Sequence, residues 1–202
     1  MEVIQLLVGQ MLNFSYILHD EREAAVVDAS FGAKTIHSEL MRRNLRLKYI
    51  LSTHHHFDHV NENELLASLT GALIAAHRSS PVRKDVELDH GDTMIVGGKS
   101  VDIIHTPGHT EDSVCYTAGD AIFTGDTLFV GECGRVDLPG GSAEEMYRTL
   151  FERLSGLKDE TVIYPGHDYG STPTSTWGRE KRTNYVLRPR TLSEFLEFMN
   201  TP

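Results

Sequence analysis

The sequence predicts a layered α/β domain. Strand-like and helix-like patterns alternate along the whole chain. No linker, repeat or low-complexity run divides it, and its 202 residues suffice for one sizeable core.

Runs rich in Val, Ile and Tyr, bounded by Gly, Asp or Pro, predict the strands. In chain order they are Ser15–His19, Ala24–Asp28, Tyr49–Ser52, Leu73–Ala76, Thr93–Val96, Val101–His105, Val114–Tyr116, Ala121–Thr124 and Thr161–Tyr164. Helical periodicity predicts Ala33–Asn44, Asn61–Thr70, Ser142–Leu154 and Leu192–Met199. Ser142 followed by Glu144 and Glu145 is a helix start, with a capping side chain and acids in the first turn. Thr191 or Ser193 caps the last helix in the same way. The expected organisation is a single domain over 1–202 with a short C-terminal helical segment at about 176–202.

The composition, 40% hydrophobic and 24% charged, is that of an ordinary globular protein. A net charge of −10 argues against nonspecific binding to nucleic acid or to an anionic membrane but says little about the substrate. A small molecule is the expected partner. A homo-oligomer is compatible with the sequence. The first residues have no basic region followed by an apolar core, and no apolar run reaches membrane-spanning length. Cys115 and Cys133 form no C-x-x-C pair and suggest no disulfide framework. A cytoplasmic location is the economical expectation.

The unusual chemistry is in the loops. His54-His55-His56-Phe57-Asp58-His59 places His54, His56, Asp58 and His59 inside six residues, directly after an apolar strand. Neutral imidazoles with a carboxylate suit zinc, iron or manganese. Three more strands end in a Gly beside a His or Asp: Pro107-Gly108-His109, Gly125-Asp126 and Pro165-Gly166-His167. Singly, each is more often an ordinary turn. Their repetition points to four loops converging on one edge and supplying seven ligands: His54, His56, Asp58, His59, His109, Asp126 and His167. His55, His105 and Asp168 read as structural or outer groups, Asp168 being a candidate to orient an imidazole. His19, His37, His77 and His90 read as surface or packing residues.

T-H-x-H-x-D-H at 53–59, then P-G-H-T, G-D and P-G-H in this order, resembles the metallo-β-lactamase superfamily. Phe123 to Phe129, Cys133-Gly134-Arg135 and Tyr164 to Tyr169 narrow the likeness to the branch of glyoxalase II and persulfide dioxygenase. The resemblance implies a four-layer αββα sandwich with the metals at one edge. It also implies a first site of His54, His56 and His109, a second of Asp58, His59 and His167, and Asp126 bridging them.

What it implies chemically is a hydrolase that uses a metal-bound hydroxide, with two divalent ions, zinc foremost and iron or manganese as options. Asp58 would act both as ligand and as hydrogen-bond acceptor for the nucleophile, the catalytic role expected of it. A thioester of the hydroxyacylglutathione type suits such a site, because its thiolate leaves with little acid help. The alternative is a persulfide dioxygenase with a single Fe2+ held by His54, His109 and Asp126. Only a short segment follows His167, whereas full-length glyoxalase II adds a helical domain that helps hold glutathione. No separate glutathione-binding domain is therefore expected. Arg135, on the loop after Asp126, is the candidate to bind an anionic thiol carrier, and Arg179, Lys181 and Arg182 read as surface charge. Cys133 reads as a packing or redox-sensitive residue, and Trp177 as core or pocket wall.

Overall fold

The computed structural model describes residues 1–199. The last three positions of the C-terminal segment expected to reach 202 lie outside the described residues.

Two six-stranded sheets face each other. The first runs in chain order: β1 (Glu2–Val8), β2 (Asn13–Asp20), β3 (Glu23–Val27), β4 (Arg46–Leu51), β5 (Leu73–His77) and β6 (Val86–Leu88). The second is β7 (Thr93–Val96), β8 (Lys99–His105), β9 (Val114–Ala118), β10 (Ala121–Gly125), β11 (Val162–Pro165) and β12 (Ser175–Thr176). Strands buried on both faces read as continuous apolar runs, and their alternation assigns the layers. Tyr16, Leu18, Ala25 and Val27 point inward and meet Val101, Ile103, Tyr116 and Phe123 of the second sheet. Ile17, Ala24 and Val26 point outward, against Ile36 and Leu40 of α1 (Ala33–Arg43) and Leu66 of α3 (Asn63–Thr70). On the far side Cys115, Ile122 and Ile163 pack under Met146 of α4 (Ala143–Arg148), Trp177 of α5 (Trp177–Thr183) and Phe195 of α6 (Leu192–Met199). The result is helices, sheet, sheet, helices: the expected αββα order. A one-turn helix, α2 (Phe57–Val60), sits within the ligand-rich loop.

The predicted caps form. Ser142 Oγ accepts from Glu145 N at 3.2 Å. Thr191 Oγ1 accepts from Glu194 N at 3.3 Å while Glu194 Oε2 accepts from Thr191 N at 2.7 Å, a reciprocal capping box. The helix expected over Ser142–Leu154 is α-helical only to Arg148, and Thr149–Arg153 is a π-turn. There Thr149 Oγ1 donates to Pro107 O at 2.7 Å, tying the helix to the loop that carries His109. Strands β1, β6 and β12 go beyond the predicted set. The exposed and half-buried residues of β1 show no alternation, and β6 and β12 are only 3 and 2 residues long.

The topology fixes where the loops go. Strands β3, β4 and β5 are mutually parallel, as are β10 and β11, so the loops after β4, β10 and β11 leave at defined ends. The sheets are stitched there: Asn13 bridges to His167, Phe14 N donates to Gly166 O at 2.8 Å, and Val114 N donates to Thr53 O at 2.8 Å. Among the described residues no helix is long and apolar enough to cross a membrane.

Candidate metal centre

All seven predicted ligands meet at this stitched edge. His54, His56 and His109 bring one ligand atom each to within 4.8 Å of one another, and so do Asp58, His59 and His167. A third set, His54, His59 and Asp126, joins the two. Asp126 lies between the halves, with Oδ2 3.6 Å from His109 Nε2 and 3.5 Å from His167 Nε2. Its other oxygen is 3.3 Å from His59 Nε2.

The outer nitrogen of each imidazole shows which lone pair faces inward. His109 Nδ1 donates to Arg135 O at 2.7 Å and His167 Nδ1 to Met11 O at 2.9 Å. A carbonyl only accepts, so both rings carry a proton on Nδ1 and turn Nε2 inward, where a metal would displace any proton held there by the nearby carboxylates. His59 Nδ1 is 2.8 Å from Asp28 Oδ2, and His54 Nδ1 is 3.1 Å from Thr53 Oγ1. Thr53 Oγ1 in turn donates to Asp28 Oδ2 at 2.7 Å, which leaves it to accept from His54. His56 differs, turning Nδ1 toward His109 Nε2 at 2.9 Å.

These inward lone pairs fit a metal. His54 Nε2 and Asp126 Oδ1 are buried and have no hydrogen-bond partner. His59 Nε2 and His167 Nε2 lie 3.2 Å apart, although both rings direct their Nδ1 protons outward. Ligands at about 2.0–2.1 Å in a tetrahedron are roughly 3.3 Å apart, so this spacing and the spacings of Asp126 suit shared cations. The electrostatics agree. Burial pushes His54 well below the ordinary histidine range and His56 down to about 4, the form a ligand needs. Burial acts against His167 too, yet Asp126 and Asp58 push it up to about 9. Against the raising effect of burial, His59 and His167 hold Asp126 well below the carboxylate range, and hydrogen bonds from His167 and His59 do the same for Asp58. Two carboxylates among buried imidazoles make a negative field that calls for positive charge.

Close packing holds the set. A β-carbon on Gly166 would lie 2.4 Å from Asp126 Oδ1 and 2.9 Å from His59 Cε1, so only glycine fits between them.

Several supports have no motif. Asp28, at the end of β3, accepts from Thr53 N and Thr53 Oγ1 and faces His59. Its place just past a buried strand was the one available signal. Asn13 Nδ2 donates to Asp58 Oδ2 at 2.9 Å and to Asp58 O at 3.2 Å. Tyr169 stacks on His167 with centroids 4.5 Å apart and an 8° interplanar angle. Asp168, expected to orient an imidazole, gives its backbone N–H to Leu12 O; that orienting task falls to Asp28.

The site opens into a cavity of about 430 Å³, walled by Met11, Phe129, Leu138, Tyr169 and the 132–135 loop. Arg135 lies on this wall, and its guanidinium forks onto Asp137 at 2.7 and 2.6 Å. Cys133 is buried and its thiol is pushed up to about 12 by desolvation, so it packs rather than reacts. Trp177 is in the core, and Lys181 pairs with Asp159 at the surface. His55 points away from the predicted ligands to Asp112 at 2.7 Å, and His77 stacks on His105.

The family model of the metallo-β-lactamase superfamily matches residues 8–167. The chain belongs to that superfamily. It is thus an enzyme of a metal-binding superfamily, and its relatives include both hydrolases and a dioxygenase. It is 35% identical over 216 residues to the hydroxyacylglutathione hydrolase of Rhizobium meliloti (strain 1021), covering 87% of this chain and 82% of that protein. It is 34% identical over 195 residues to the human mitochondrial persulfide dioxygenase ETHE1, covering 92% of this chain and 75% of that protein. The crystal structure of ETHE1 from Myxococcus xanthus superposes with a TM-score of 0.94 at 33% identity, over 100% of this chain and 92% of that one.

Proposed function

We propose that this metallo-β-lactamase-superfamily enzyme is a two-metal hydrolase acting on a thioester. One observation carries the reading. Two complete three-residue sets face each other across Asp126, whose Oδ2 is nearly equidistant from His109 and His167.

Residues His54, His56 and His109 would hold one divalent ion, Asp58, His59 and His167 the other, and Asp126 would touch both. When bound, the pair supplies an acidified water near neutral pH and a Lewis acid for the carbonyl oxygen. Zinc is the first candidate, and iron and manganese tolerate the same donors.

The chain's own groups do the rest. Asn13 fixes Asp58 through two hydrogen bonds, so that the carboxylate can take the proton of the attacking water. Asp28 keeps the His59 proton on Nδ1. Tyr169 and Phe129 wall the cavity beside His167 and exclude water from the acyl group. The thiolate departs with little acid help, and none of the wall residues need supply a proton. Arg135 offers a guanidinium on that wall for an anionic thiol carrier, in competition with Asp137.

Purified Asp126→Ala tests this directly. Hydrolysis of a thioester panel is expected to fall by at least about 10²-fold, the scale of losing one preorganised charge-stabilising group. Wild-type rates in that variant would refute the shared-metal mechanism.

A second reading has its own support. The superposition on an ETHE1 structure at a TM-score of 0.94 favours a persulfide dioxygenase, with one Fe2+ on His54, His109 and Asp126. Oxygen uptake with a thiol persulfide separates the two.

A further inference from the structure

Glu180 is 1% exposed, and none of the cations among the described residues pairs with it. Its partners are neutral. Ser175 Oγ donates to Oε1 at 2.5 Å, and Gly131 N and Asn184 Nδ2 donate to Oε2 at 2.8 and 3.0 Å. A carboxylate buried among neutral donors adds little net stability, and an apolar side chain would fill the space at lower desolvation cost. What it adds is direction, because three donors are fixed on two oxygens.

The direction leads to the metal centre. Asn184 Nδ2 also donates to Glu132 O at 3.1 Å, so α5 and its C-cap Asn184 grip the loop at two consecutive residues, Gly131 and Glu132. The loop is closed on itself by Phe129 N to Glu132 O at 2.9 Å and by a bridge between Leu128 and Cys133. It then runs against two proposed ligands. A β-carbon on Gly134 would lie 1.8 Å from Asp126 O and 3.0 Å from His109 Nδ1, and Arg135 O is the acceptor that holds the His109 proton on Nδ1. The other end of the brace is Ser175, whose strand β12 pairs with β11, the strand leading to His167.

We propose that Glu180, with Ser175 and Asn184, is a positioning residue of the metal centre: it holds the 131–135 loop where the Arg135 carbonyl fixes the His109 tautomer. The C-terminal segment thereby sets the geometry of a half-site more than 60 residues upstream (His109 to the brace at Ser175–Asn184). This rests on the reading of His54, His56 and His109 as ligands.

The test is stepwise metal binding to the full chain, with zinc in competition against a chromophoric chelator and with cobalt(II) read by its visible spectrum. E180A is expected to weaken one of the two binding steps by about 10- to 100-fold, the usual cost of losing an outer partner of a ligand. The cobalt bands of that site should change, and the other step should not. E180Q keeps the volume but accepts fewer hydrogen bonds, so it should shift the same step and decides the matter if E180A does not fold. L40A serves as the control, since Leu40 packs in the opposite helical layer, in a cluster that contains none of residues 131–135. It should lower the melting temperature and leave both binding steps alone. Wild-type affinities and spectrum in folded E180A or E180Q overturn the proposal, as does an equal loss in L40A. If the wild-type chain takes up neither ion, the metal-centre reading fails and this inference fails with it.

Discussion

Asp28 Oδ2 lies 2.8 Å from His59 Nδ1, and the same oxygen accepts from Thr53 Oγ1 at 2.7 Å. One buried carboxylate thus orients His59 directly and His54 through Thr53. Asp28 sits at φ 51°, a left-handed conformation that Asp tolerates better than most residues. Asp28→Asn keeps the shape, but its single carbonyl oxygen cannot accept at both positions, from Thr53 N on one side and from Thr53 Oγ1 and His59 Nδ1 on the other. Metal affinity is expected to fall by about 10- to 100-fold with little change in fold. Equilibrium dialysis against zinc measures it, and unchanged affinity would show that the imidazole orientation is set elsewhere.

Gly166 is expected to be irreplaceable. A methyl group there meets Asp126 Oδ1 at 2.4 Å. Gly166→Ala should cost about 1–3 kcal/mol of stability, as overpacking does, and also displace Asp126. Urea unfolding together with metal content reads both effects. Loss of stability with full metal content would mean that the strain is relieved away from the site.

Chelation is expected to destabilise the protein. Ligands that bind only the folded state add about 2.7 kcal/mol at a concentration a hundredfold above Kd. Calorimetry before and after dialysis against a chelator should show a clear drop in melting temperature, restored by adding the divalent ion back. An unchanged melting temperature would contradict a metal bound to the native centre.

His77 provides a pH dependence outside the ligands. Burial and the stacked His105 lower its pKa below the ordinary value of about 6.5. The folded state therefore binds fewer protons there than the unfolded state, and stability rises with pH across that interval. The contribution is complete above about pH 6.5 and is lost as pH falls from there toward the lowered folded-state value. In metal-free protein, His77→Asn should flatten the decline in stability between about pH 7 and 5 relative to wild type. Parallel slopes for the two proteins would remove His77 from the account.

The layered α/β domain and the ligand cluster were legible for the same reason. Buried strands such as Ala121–Gly125 are short apolar runs, and His109, Asp126 and His167 each follow one. Their supports were hidden because a backbone carbonyl has no residue type. His167 is fixed by Met11 O, 156 positions away, and His109 by Arg135 O. Arg135 itself was singled out for its guanidinium, yet its carbonyl makes the contact to a proposed ligand. Strand β1 escaped because a half-buried strand without alternation carries no period-two signal. The π-turn at Thr149–Arg153 escaped because the helical pattern continues through it.

The central claim is a dinuclear hydrolytic site, and metal content measured alongside turnover tests it most directly. Protein grown without added metal, assayed on a thioester panel and for oxygen uptake with a thiol persulfide, is predicted to hold close to two divalent ions, hydrolyse a thioester and consume no oxygen. One iron per chain with persulfide-dependent oxygen uptake and no thioester hydrolysis would contradict it.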